Sequence, residues 1–175
     1  MGLLLNWNRS TNPCDWTTVH CDDNDSEDFV IRKLELGGSE IGGRLAGEIG
    51  KLKTLQSLLT RTNYTIFIDF SFTEADRNMS KSGITGSIPP EIGDLNELVT
   101  LDLSHNNLND VIPWAIGKLL NLTTLLLNDN DLVGCEPVDA ISNLIMNGSL
   151  DNRYFNLANN PNLHTSPINP GVCGP

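Results

Sequence analysis

Leucines recur through the middle of this chain at offsets that one continuous helix does not use. Leu98, Leu101, Leu103, Asn106, Leu108, Ile112, Pro113, Ile116 and Leu119 form one set. Leu122, Leu125, Leu127, Asn130 and Leu132 repeat it 24 residues later, followed by Pro137 and, after one extra residue, Ile141 and Leu144. A fixed period of this kind sets the architecture before any local assignment. Within the unit, the alternation Thr100, Leu101, Asp102, Leu103, Ser104 predicts a short strand with one face inward. Asn106 falls where the chain turns, and its side-chain amide can bond backbone groups that the turn leaves unpaired. Leu108 and Ile112 supply core, and Pro113 favours an extended segment on the way to Ile116 and Leu119. An amphipathic helix is the competing reading, but strict alternation followed by Asn-Asn and Pro argues against it. One such coil cannot bury its leucines alone. The pattern therefore predicts an α/β repeat solenoid, a right-handed coil of about four to five repeats with a short parallel sheet on its concave face.

The units on either side are less regular. Ile31, Leu34, Leu36, Ile41, Gly43, Leu45, Ile49 and Leu52 make an earlier unit over 31–54, with Ser39 in the Asn position and Ala46 in the Pro position. The next opens with Leu55 and Leu58 and closes through 83–95. Leu55 and Leu98 lie 43 residues apart, one period of 24 plus a surplus of 19. The surplus falls in a stretch holding three of the chain's five phenylalanines, where Tyr64, Ile66, Ile68, Phe70 and Phe72 alternate as a strand does. After the fourth unit, Phe155, Leu157 and Asn160 mark one more strand and turn.

The consensus L-x-x-L-x-L-x-x-N-x-L-x-G-x-I-P-x-x-I-G-x-L resembles the plant-type leucine-rich repeat. Trp7, Pro13, Cys14, Trp16, Val19 and Cys21 resemble the core of that family's N-terminal cap. The helix that normally precedes the tryptophan is missing, so the cap is expected to be incomplete, with a signal peptide lost upstream. The resemblance divides the chain into an N-terminal cap over 1–30, repeats over 31–162 with an insert near 60–78, and a C-terminal cap over 163–175. Some receptors of this family carry a ligand-reading island between repeats. The preferred reading of the insert is a translated intron, which should protrude from the coils.

Composition narrows the function. The 175 residues carry a formal charge of −11, which disfavours nucleic acid or an anionic membrane surface as partner. No apolar run is long enough to span a bilayer. Cys14 and Cys21 are close enough for a local disulfide, and Cys135 with Cys173 can close the other end. A zinc site using Cys14, His20 and Cys21 lacks a second Cys/His pair. Six Asn-x-Ser/Thr sequons, at Asn8, Asn24, Asn63, Asn78, Asn121 and Asn147, point towards secretion and glycosylation. The acidic run over 22–28 lacks the glycine and distal glutamate of a calcium loop and reads as solvated. No metal or cofactor is expected.

His105 near Asp102 invites a catalytic dyad, yet no positioned nucleophile accompanies it, and Ser-His-Asn-Asn is an ordinary turn of the repeat. The expectation is a non-catalytic module. What the resemblance implies is a plant cell-surface receptor, a co-receptor, or a secreted inhibitor of pathogen cell-wall enzymes. Ligand contacts would then lie on the outward strand positions: Lys33 and Glu35; Thr100, Asp102, Ser104 and His105; Thr124, Leu126, Asn128 and Asp129. The expected partner is a protein or peptide, including a larger leucine-rich repeat receptor. Pectin would want clustered cations, and ice a regular Thr or Asn row, which Lys33 interrupts.

Overall fold

The computed structural model describes residues 12–22, 30–37, 42–60 and 82–164. The leucine alternation gives the parallel sheet that it predicts. Strand β1 (Val19–Cys21) pairs antiparallel with β2 (Ile31–Glu35). From β2 the sheet continues in parallel through β3 (Ser57–Leu59), β5 (Thr100–Asp102), β7 (Thr124–Leu126) and β9 (Phe155–Asn156). The register is exact in leucine: Leu34, Leu58, Leu101 and Leu125 pair in turn, ending on Phe155. Each of these side chains points into one core that runs the length of the stack.

Behind the strands, asparagines tie coil to coil. Asn130 Nδ2 donates to the Leu127 and Asn128 carbonyls of its own coil and to the Leu103 carbonyl of the preceding one, at 2.9–3.3 Å. Its Oδ1 accepts from Leu108 N at 3.1 Å. Asn106 and Asn160 make equivalent contacts, each accepting from the coil before it, at Ile84 N and Leu132 N. In the second coil Ser82 takes this place, its hydroxyl lying between the Leu36 and Thr60 carbonyls with its one hydrogen to donate. From Ser82 onward Ile84, Ile88, Pro89, Ile92 and Leu95 keep the offsets of Leu108, Ile112, Pro113, Ile116 and Leu119. The surplus is thereby located between Thr60 and Ser82, and the coil closes around it. The insert itself, including the residues expected to protrude, lies outside the described residues.

The far side of the stack is built from five-residue 3-10 turns at Gly47–Lys51, Pro90–Asp94 and Trp114–Lys118. The fourth coil is longer, with 30 residues from Asn130 to Asn160 against 24 from Asn106 to Asn130. The extra length forms α1 (Val138–Met146), the one α-helix among the described residues. A glycine closes the packing at each step. A Cβ on Gly50 would stand 2.5 Å from the Glu91 carbonyl oxygen, and one on Gly93 would stand 2.4 Å from that of Ala115. These neighbours are backbone and cannot swing aside. Gly93→Ala is expected to lower stability by about 1–3 kcal/mol, as overpacking does, read as a lower melting temperature with an unchanged circular dichroism spectrum.

Two short parallel ladders lie outside the main sheet, a feature the alternation does not announce. Strand β4 (Thr85–Gly86) pairs with β6 (Asn107–Leu108), extended by a bridge from Arg44 to Thr85. Strand β8 (Val133–Cys135) pairs with β10 (Asn162–His164). Gly83 and Gly86, at φ of 66° and 79°, let the chain turn left-handed just before β4 and at its last residue.

Candidate functional site

Because side chains alternate across a strand, the residues flanking each core leucine share the opposite, concave face. Registration aligns them in rows. One row runs Lys33, Ser57, Thr100, Thr124, and the next runs Glu35, Leu59, Asp102, Leu126, Asn156. Ser57 and Leu59 had no assignment in the sequence because the insert breaks the unit that holds them. Their offsets from Leu55 equal those of Thr100 and Asp102 from Leu98, and that was the available signal.

The rows are not uniformly open. Lys33, Glu35, Thr100, Thr124, Leu126, Asn128 and Asp129 are half-buried, in keeping with a surface that a partner can touch. Three other expected contact residues expose less: Asp102 is 9% exposed, Ser104 1% and His105 8%. Part of the reason is local hydrogen bonding. Asp102 Oδ1 accepts from Ser104 N at 3.0 Å and from its hydroxyl at 2.6 Å, which folds the start of the turn onto the carboxylate. His105 belongs to the turn itself. It, Asp129 and Asn159 hold the same place in successive coils, immediately before the ladder asparagine, with φ of 56°, 56° and 57°. His, Asp and Asn are residues that tolerate this left-handed geometry. Their side chains connect along the stack: His105 Nδ1 lies 3.5 Å from Asp129 Oδ2, and Asn159 Nδ2 donates to Asp129 Oδ1 at 2.8 Å. His105 therefore pairs with the next coil's Asp129, whose Oδ2 also accepts from Asn128 Nδ2 at 2.6 Å.

At the capped end the charges are already engaged. Glu35 accepts from His20 Nε2 at 3.1 Å and pairs with Lys33. Burial pushes the Glu35 carboxyl up, but the hydrogen bonds and charges of Lys33 and His20 outweigh it and hold the group below the usual carboxylate range. Arg32 bridges Asp22 at 2.7 Å and Glu97 at 2.5 Å, joining the cap to the third coil.

Cys14 and Cys21 are bonded, with Cα atoms 5.7 Å apart, which removes both from any zinc site. Cys135 is also disulfide-bonded, and its expected partner Cys173 lies outside the described residues. Of the sequons, Asn121 and Asn147 are exposed, Asn121 Nδ2 donating to the Asn96 carbonyl at 2.8 Å. Asn8, Asn24, Asn63 and Asn78 lie outside the described residues. Among the described residues no helix is long and apolar enough to cross a membrane.

Residues 1–22 match the family model for the leucine rich repeat N-terminal domain, and residues 97–119 match that for the leucine rich repeat. Phytosulfokine receptor 1 of Arabidopsis thaliana is 32% identical over 105 residues, 60% of this chain and 8% of the receptor. Two solved structures from the same plant are similar. One is the ectodomain of the receptor kinase GASSHO1/SCHENGEN3 in complex with CASPARIAN STRIP INTEGRITY FACTOR 2, with a TM-score of 0.65 at 29% identity. It covers 85% of this chain and 15% of that one. The other is a chain of the BIR3–SERK2 complex, with a TM-score of 0.63 at 30% identity, covering 85% of this chain and 65% of that one. The chain thus spans less than a tenth of the receptor and less than two thirds of each of these structures.

Proposed function

Since the chain is a plant-type leucine-rich repeat protein, we propose that it is an extracellular recognition module whose concave sheet binds a protein or peptide partner. On this reading it works as the ligand-reading or co-receptor part of a signalling or defence receptor, and it turns over no substrate. The observation that carries the proposal is the pair of registered rows on the sheet. They offer hydroxyls at Ser57, Thr100 and Thr124, and apolar contacts at Leu59 and Leu126, on one rigid surface. Mixed apolar and hydrogen-bonding rows suit a protein or peptide better than a polyanion or an ice lattice. The relatives support the same class: one is named as a receptor, and the two structures were solved with a bound factor and as a complex between two proteins. The cap disulfide and the exposed sequons at Asn121 and Asn147 fit an extracellular setting.

The test is a capture screen against plant receptor ectodomains, comparing the native chain with a triple variant, Thr124→Arg, Leu126→Arg and Asn156→Arg. All three positions are accessible and none holds the core, so the melting temperature should stay within a few degrees. Affinity for a captured partner should fall by at least about tenfold, as expected when central contacts of an interface are lost. Full affinity in the variant, with intact fold, would move recognition to a lateral edge of the stack.

A further inference from the structure

Asp102 carries a charge that the fold does not use. Its Oδ1 accepts two hydrogen bonds from Ser104, but among the described residues its Oδ2 accepts none, and no cation pairs with it. The local turn does not need a carboxylate. In the fifth coil Asn156 holds the same position and its Oδ1 accepts from Ala158 N at 2.9 Å, the same bond made by a neutral side chain. In the second and fourth coils the position is Leu59 and Leu126, with no such bond at all. The residue is nine-tenths buried, yet Oδ2 is not among the enclosed unpartnered atoms, so it meets solvent at the concave surface, where a cation from outside can replace water in a charge-assisted hydrogen bond.

The neighbours say what shape that partner has. Asp102 sits in register between Leu59 and Leu126, whose side chains share its face, with Thr100 beside it in the adjacent row. Adjacent strands lie about 4.8 Å apart, so the carboxylate has an apolar wall on each side. That arrangement takes a cation on a long methylene stem: the stem lies against the leucines while the charged end reaches Oδ2. Lys33, the cation on the same face, is already engaged with Glu35. Resting on the recognition role proposed above, we infer that Asp102, Leu59 and Leu126 form a subsite for one arginine or lysine side chain of the peptide or protein partner.

The test is selection of a random peptide display library on the full chain, followed by binding of synthetic copies. Enriched peptides should share one arginine or lysine, and replacing it with norleucine should weaken binding by at least about tenfold. Asp102→Asn keeps the acceptor for Ser104 and should melt as the native chain does. It should lose the same factor for the basic peptide and nothing for the norleucine peptide. Peptides that need Leu126, judged by loss of binding in Leu126→Arg, yet bind Asp102→Asn at full strength would overturn the subsite and leave the recognition role standing. Enrichment of no peptide sensitive to Leu126→Arg would overturn both.

Discussion

Leu101→Ala should destabilise the protein by about 2–5 kcal/mol, the range for emptying a large site in a packed core. Leu101 is fully buried, and it stands between Leu58 and Leu125, which are also fully buried and paired to it in register. Neither neighbour can collapse into the space, because each is fixed by its own strand and by the next leucine along. The cavity therefore stays open and the cost falls at the upper end. In a stack where each coil touches only its neighbours, the loss also weakens the junctions on both sides. A chemical denaturation midpoint moved by less than the equivalent of about 1 kcal/mol would remove Leu101 from the core.

Asn130→Ala should cost several kcal/mol although it deletes no apolar contact. Its two amide hydrogens are shared among the carbonyls of Leu103, Leu127 and Asn128, which also accept from Asn106 Nδ2, Asn160 Nδ2 and His105 N in turn, and its Oδ1 accepts from the Leu108 amide. The variant therefore leaves the carbonyls partnered but strands the buried Leu108 amide, at about 1–3 kcal/mol, and loses side-chain hydrogen bonds worth about 0.5–1.5 kcal/mol each. A loss of about 2–4 kcal/mol is the expected sum. Asn130→Asp is the informative companion. It keeps the acceptor for Leu108 N but offers no donor to the carbonyls, so it should be nearly as damaging. Thermal melting of both variants beside the native chain decides the matter, and a near-native melting temperature for Asn130→Asp would mean that the donor side is not needed.

The strands and their core were legible because leucine alternation and a fixed period are properties of the sequence itself. The register ran from Leu34 to Leu125 as read, and Phe155, Leu157 and Asn160 marked the fifth strand even after the period lengthened. The cause of that lengthening was not legible: α1 in place of a 3-10 turn adds residues without altering the inward pattern. Ser82 was hidden as a ladder residue because 19 surplus residues separate it from its own strand, and serine alone carries no signal. The concave face was legible as a set of positions but not as a surface. Asp102, Ser104 and His105 alternate outward correctly, yet hydrogen bonds within the turn and a left-handed backbone at His105 decide how much of each is left to meet a partner.

The ladder also gives the stack a direction. Asn106, Asn130 and Asn160 each reach back to the coil before them, accepting from Ile84 N, Leu108 N and Leu132 N. No coil completes its own buried amide; the following one does it. A chain emerging from the ribosome thus adds each coil onto a predecessor that is still unfinished, and finishes it in doing so. Growth and stabilisation run the same way, from the disulfide-bonded cap outward. Removing coils from the leading end would strip partners from side chains that water can serve, whereas removing them from the trailing end would leave main-chain amides buried with nothing to accept them.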